Sequence, residues 1–578
     1  MKHTILILTL LIFLPTLYAG EHTFHSADGH ITYTVTEQGL SSIKVGDHEL
    51  ATGCLIPFDA SPMLTSADHP IPKHPSAAGG YAAYLFPEVQ KKITGSSVFR
   101  VPPDQKPQNI SVVHLFPGMT VMTEYVFVDR DIFVSAQIEN TSVRPIQIPS
   151  LGGLKFTFPA PPEGRMRTWH PSYLQHANRD CFHPSYLNHV GGSYAIGGKI
   201  GVGVSPDYLN FPSETAETPD PFTTPIIPTL IHWDYNSWEP DMREAEPIRW
   251  LTYSERREIP AGSTITMRFR IRISDDCTEP FADSDWQYLM QPYKDHYLRL
   301  TGGLQYTPDF RLTASAYINH SQGMISAENP YGLHGGFNRL DTEAGVNQFC
   351  ETFIPAMKNR DSQGMIIWGH SGDHPRGAMY RCDVDAIPPE LEAGLREAAA
   401  RFKEAGLNLG VCTRPGEMVT PSSDTQDTVV QLSPSEPTQM EHLRRQFKNL
   451  TEMGFSIYYL DSFGMRPEHV EIMRHLRRWL GSDVQTYAEH PCDLILAYSG
   501  GYSETDFHAK SADGAFPDRW VLYAGEEDVK VYHWLLDRAP IITRHYSTHG
   551  EMPTKFEKIE DYVKRRMLIH LLPTSQFK

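Results

Sequence analysis

The sequence predicts a multidomain β and α/β protein: an N-terminal β-supersandwich followed by a (β/α)8 TIM-type barrel. Three observations predict it. Apolar and polar residues alternate with period two through the first half, as half-buried strands require. The second half repeats a unit of amphipathic helix, glycine and apolar strand. The 578 residues leave room for a large sandwich beside a barrel of about 250 residues.

The first element is a leader, residues 1–20. One Lys precedes an apolar run from Ile5 to about Leu17, and Ala19-Gly20 supplies the small-residue end of a secretory signal peptide. The run is shorter than the ~20 residues that span a bilayer. No Cys follows it, so a lipid anchor is not expected. The mature protein is therefore expected in the periplasm or secreted, with no membrane contact after cleavage.

The second element, residues 21–290, is the sandwich. His30–Thr36 and Thr264–Ile273 alternate with period two, and Tyr125–Glu139 reads as two strands around an Asp129-Arg130-Asp131 turn. Proline-rich stretches such as Pro159–Pro162 and Pro212–Pro228 are expected in loops or at sheet edges.

The third element, residues 291–578, is the barrel. Arg311–Ile318 is its expected first strand, and Gly364–Gly369 is another. A helix opening at Pro388-Pro389 puts Leu391, Leu395, Ala398 and Phe402 on one face, ends at Gly406 and leads into Leu407–Cys412. A second carries Met440, Leu443, Phe447 and Leu450, ends at Gly454 and leads into Phe455–Leu460. A third starts at Pro467, ends at Gly481 and leads into Val484–Ala488. A glycine just past each helix and a strand directly after it are stop signals. Such repeats make a parallel sheet with right-handed crossovers. The block Gly500-Gly501-Tyr502 reads as a loop, and Ile569–Leu572, the last apolar run, suggests a barrel that ends early.

Composition narrows the function. Against 69 acidic residues stand 51 basic ones, a formal charge of −18. Such a chain repels nucleic acid unless it carries a basic patch, and none is visible. The seven cysteines are scattered, without a CxxC pair. An odd number leaves at least one thiol free. No HExxH or HxH cluster marks a metal site, no GxSxG marks a serine hydrolase, and no glycine-rich dinucleotide loop is present. No cofactor and no metal are expected.

Barrel chemistry lies at the C-terminal ends of the strands. The expected strands end in His370, in Arg414 and Glu417, in Asp461, in Glu489, and in Arg544 and His545. Asp461 and Glu489 end consecutive strands. Paired carboxylates are what glycoside hydrolysis needs, one ionised to attack the anomeric carbon and one protonated to release the leaving group. Neighbouring strands supply the ~5 Å separation of a retaining mechanism. Arg414 is a candidate for gripping a hydroxyl, carboxylate or sulfate, or else a structural bridge to Glu417 or Asp461. Glu417, His370, Arg544 and His545 are further candidate substrate contacts. Trp368 and Trp520 are candidate platforms for a sugar face, or barrel packing.

Two resemblances support this reading. Val134–Ser142 resembles the galactose-mutarotase-like sandwich that many glycosidases carry ahead of a barrel. Asp461 within Tyr458-Tyr-Leu-Asp-Ser-Phe463 resembles the nucleophile strand of retaining α-glycosidases, which put an Asp at the end of strand four. A strand-four Asp followed by a strand-five Glu is similar to the endo-α-N-acetylgalactosaminidases of glycoside hydrolase families 101 and 129. The resemblance implies an α-linkage, with Asp461 as nucleophile and Glu489 as acid and base. The α-amylase clan shares the Asp-then-Glu order, but its motif has an Arg two residues before the Asp, where this chain has Tyr459. The α-galactosidase and α-glucosidase clans take their acid from a strand-six Asp, a role open to Asp513 or Asp518. Two other classes stay open: a non-catalytic carbohydrate-binding protein on a decayed barrel, and a polysaccharide lyase using Tyr498, His545 and Arg544.

Overall fold

The computed structural model describes residues 20–53, 56–58, 95–100, 108–147, 150–159, 167–169, 192–207, 226–232, 248–254, 258–318, 326–328, 339–359, 361–370, 387–420, 428–464, 467–489, 491, 493–505, 526–537, 541–545 and 567–571. The leader, residues 1–19, lies outside them, as do Asp513, Asp518 and Trp520.

The chain forms two compact units, which divide between Leu300 and Thr301. The first is built from two eight-stranded antiparallel sheets. The alternation read at residues 31–36 becomes the strand Ile31–Thr36, with Ile31, Tyr33 and Val35 buried. The Asp129-Arg130 turn joins Met119–Val128 to Asp131–Asn140, as the turn residues require. Both sheets contribute to one core, in which Phe127 of one sheet stacks on Phe24 at 4.4 Å and on Tyr33 at 5.1 Å from the other. The helix Asp283–Thr301 closes this unit, so the boundary expected at 290/291 falls inside a helix. It packs Trp286 on Tyr194 at 6.0 Å. Gly203 permits the approach, since a Cβ there would stand 2.4 Å from the Leu289 carbonyl oxygen.

The second unit is a closed ring of eight parallel strands. In order they are Leu312–Tyr317, Ser362–Trp368, Asn408–Thr413, Ile457–Leu460, Gln485–Ala488, Gly500–Thr505, Ile541–His545 and Met567–Leu571. The eighth strand pairs with both the seventh and the first, so the ring closes and does not end early. Strand six begins at Gly500, where the sequence reads as a loop. Its two glycines hide its strand character, because propensity disfavours them. Helices Glu343–Lys358, Pro389–Glu404, Pro437–Glu452 and Pro467–Leu480 follow strands one to four. Three of them run into Gly406, Gly454 and Gly481, whose φ values of 76°, 102° and 81° only glycine adopts cheaply.

Alternation sorts the strand residues. Tyr458 faces outward and meets Phe447 of the helix Pro437–Glu452 at 5.1 Å. Ile366, Trp368, Cys412, Ile457, Tyr459 and Tyr487 face inward and fill the barrel. Arg477, on the helix Pro467–Leu480, anchors the start of strand five. It donates to the carbonyls of Gly481 and Val484, each at 2.8 Å, to the Tyr498 carbonyl and to Thr486 Oγ1.

Candidate functional site

The site follows from register. Cys412, Tyr459 and Tyr487 lie side by side on strands three, four and five. Side chains two residues further on fall on the same face. Those residues are Arg414, Asp461 and Glu489, each just past the end of its strand. Their backbones continue the parallel ladder: Asp461 N–H donates to the Thr413 carbonyl at 2.7 Å, and Glu489 N–H to the Leu460 carbonyl at 3.0 Å. The aromatic layer of Trp368, Tyr459 and Tyr487 is thus a floor, and the charged groups stand on it at the C-terminal mouth.

The groups touch. Arg414 Nε donates to Asp461 Oδ2, and its Nη1 lies 3.9 Å from Glu417 Oε2. The Asp461 and Glu489 carboxyl groups interact directly. Asp461 keeps 14% of its side-chain exposure. Burial raises its pKa above the ordinary carboxylate value, the Glu489 charge raises it further, and the Arg414 guanidinium opposes both. Asp461 therefore holds a proton more tightly than an isolated carboxyl would.

Three features of this arrangement are not legible in the sequence. Ser462 adopts φ 51°, a left-handed conformation uncommon for a non-glycine residue. That turn aims its N–H at Glu489 Oε2, at 2.5 Å. His469 receives the Gly464 N–H on Nδ1 at 2.9 Å and stacks on Phe463 at 4.5 Å. It also fills the space at Gly416, where a Cβ would stand 2.6 Å from its Nε2. One histidine thus ties the turn after strand four to the turn after strand three. The third feature is Glu504, which occupies the penultimate position of strand six and pairs in register with Arg544 of strand seven.

The other sequence candidates separate. Glu417 opens the hairpin Glu417–Thr420/Thr428–Gln431, and Gln431 Nε2 donates to its Oε1 at 3.5 Å. Trp368 packs in the barrel interior against Tyr459, with ring centroids 5.1 Å apart. This is the packing alternative, and the ring is only 7% exposed. His370 follows strand two and Gly369, is buried to 1% exposure, and has an Nδ1 without a hydrogen-bond partner. Burial alone depresses its pKa, to about 4, so the ring is neutral. Arg544 and His545 end strand seven, but their side chains lie outside the described residues. Strand six spans Gly500–Thr505, so neither Asp513 nor Asp518 stands on it. Tyr498 precedes strand six, at the opposite end of the parallel ring from Arg544 and His545, which splits the proposed lyase set. Cys277, Cys350 and Cys412 are buried and outside any disulfide. Among the described residues, no group of three His, Cys, Asp or Glu is placed to hold a metal ion.

No family model and no curated protein matches the sequence. Solved structures do. The α-N-acetylgalactosaminidase NagBb from Bifidobacterium bifidum, in its GalNAc complex, superposes with a TM-score of 0.50 at 12% identity over 90% of this chain and 84% of that one. Its ligand-free form gives a TM-score of 0.50 at 9% identity over 96% and 90%. A GH36 α-galactosidase, AgaA from Geobacillus stearothermophilus, gives 0.38 at 9% identity over 95% and 86%, too loose a likeness to weigh. At these identities the likeness to NagBb is one of fold, and it spans nearly the whole chain.

Proposed function

We propose that the protein is an exported glycoside hydrolase that cleaves an α-linked sugar by a retaining, two-carboxylate mechanism. One observation carries the reading: Asp461 and Glu489 meet at the ends of neighbouring barrel strands, on one face, with the Arg414 guanidinium bonded to Asp461. Carboxyls at the ends of neighbouring strands suit the ~5 Å separation of retaining enzymes better than the ~6.5–9.5 Å of inverting ones. In the first step an Asp461 oxygen bonds to the anomeric carbon as the glycosidic C–O bond breaks. The released electron pair takes the proton held by Glu489. In the second step Glu489, now a carboxylate, removes a proton from water. The water oxygen bonds to the anomeric carbon, and the ester bond breaks with its pair returning to Asp461. This chemistry calls for no cofactor.

The partner is a carbohydrate. NagBb is named as an α-N-acetylgalactosaminidase, and its fold is shared, so p-nitrophenyl α-N-acetylgalactosaminide is the first probe to try, followed by the α-galactoside. The eight-stranded ring is read as a TIM-type (β/α)8 barrel, the sandwich as mutarotase-like, and residues 1–20 as an export signal. Asp461→Asn should abolish turnover of whichever probe is cleaved. Full activity in that variant would defeat the reading. A second reading moves the acid to strand six. It is favoured by Glu504, a glutamate in place of the expected Asp, at a strand-six register position. Loss of activity in Glu504→Gln together with its retention in Glu489→Gln would select it.

A further inference from the structure

We infer that Arg414 is a positioning residue that acts through Asp461, holding its carboxyl in place and favouring its charged form, and does not grip the substrate. The inference rests on the glycosidase reading and assigns a role inside that site. Arg414 was open to two uses, holding an anionic or hydroxyl group of a ligand or bridging to a neighbour. The structure commits it to the second. Its Nε is bonded to Asp461, and its Nη1 leans toward Glu417.

Asp461 receives a charged donor from strand three. A guanidinium stabilises an adjacent negative charge about twice as strongly as a neutral donor does. The Arg414 charge therefore favours the carboxylate form of Asp461, against its burial and the Glu489 charge. A carboxylate at Asp461 is what a retaining first step needs. The charged and titratable groups that act on Arg414 are Asp461, after strand four, and Glu417 with Cys412, from strand three and its hairpin; Glu489, after strand five, acts on Asp461. An anionic sugar would have to compete with Asp461 for Arg414.

The test is a pH–rate profile for Arg414→Ala with p-nitrophenyl α-N-acetylgalactosaminide or the α-galactoside, whichever the wild type cleaves. A positioning role predicts kcat lower by about 10–100-fold with KM changed by less than about threefold. Losing the guanidinium makes Asp461 harder to ionise, so the acid limb should move to higher pH. Arg414→Lys, which keeps the charge, should recover much of kcat, and added guanidinium should partly rescue Arg414→Ala. A raised KM with unchanged kcat would show a substrate contact and overturn the inference. So would an unshifted acid limb. If Arg414→Ala does not fold, Arg414→Gln keeps the side-chain length and carries the same comparison. Asp461→Asn, run in parallel, separates the two levels: activity there defeats the glycosidase reading itself, whereas silence there with an unshifted Arg414→Ala profile defeats only the role given to Arg414.

Discussion

The sandwich and the barrel mouth each gather acidic residues around arginines, but they balance them differently. In the sandwich, Asp131 binds Arg272 through both carboxylate oxygens and also meets Arg270. Asp207, wholly buried, pairs with Arg270, whose guanidinium also sits 4.1 Å over the Phe133 ring. Asp275 is shared by Arg130 and His30. Acids and bases there are nearly matched in number. At the barrel mouth, Asp461 and Glu417 share Arg414, and Glu489 acts on Asp461. A matched cluster lets each charge stay buried or half-buried without moving its proton. Carboxyls crowded together favour a retained proton, and a retained proton is what acid catalysis uses. The two clusters teach that the same residue types make a staple in one place and, on the proposed function, a reactive pair in the other.

The comparison breaks most sharply by mutation. Asp461→Asn and Glu489→Gln should each lower turnover by about 10³-fold or more, since each removes a group that acts in the transition state. Neither should cost stability, because each relieves repulsion between neighbouring carboxyls. Equal losses of melting temperature and activity would erase the distinction between the clusters. Asp207→Ala should do the reverse. Leaving Arg270 without its buried partner costs about 3 kcal/mol of folding stability, read as a fall in the chemical-denaturation midpoint, while kcat per folded molecule stays unchanged.

Acidity sharpens the contrast at smaller cost. The Asp461 pKa is raised on folding, so this group favours the folded state below the ordinary carboxylate value and loses that contribution as pH rises through its folded pKa. Glu489→Gln should flatten that decline in a series of melting temperatures against pH. His370 has the opposite sense. Its folded pKa is about 4 against 6.5, so stability should fall as pH drops from 6.5 toward 4, by about 3 kcal/mol if the ring stays buried. His114, also buried in the sandwich core with its pKa lowered by burial, adds to the same acid-side loss. Replacing His370 with Gln should reduce the acid-side slope, and an unchanged slope would show that the ring protonates without unfolding. The smallest effect expected is at Ser462. Glycine adopts φ 51° freely, so Ser462→Gly should be neutral or stabilising by about 0.5–1 kcal/mol, with Glu489 still held by the backbone N–H.

Much of this was legible in the residues. Period two at Ile31–Thr36 and Thr264–Ser274 marks strands because alternate side chains face one core. Leu391, Leu395, Ala398 and Phe402 mark a helix because they share one face, and Gly406 marks its end because only glycine takes that φ without strain. Asp461 and Glu489 were visible because local hydrophobic runs fix where strands end, and barrel strands end where chemistry happens. Gly500–Thr505 was misread because two glycines carry no periodicity, and only pairing on both sides makes that segment a strand. The partner of Arg414 was equally out of reach. Glu417 is three residues away and Asp461 is 47, and sequence separation says nothing of which lies beside it. Register between strands three and four brings Asp461 to it, and the left-handed turn at Ser462 directs an N–H to Glu489. The sequence by itself determined which segments become strands and helices and which ionisable groups stand at their ends, because those depend on local periodicity and backbone preference. Only the tertiary structure decided which of those groups stand together, because that depends on distances between strands that no local pattern encodes.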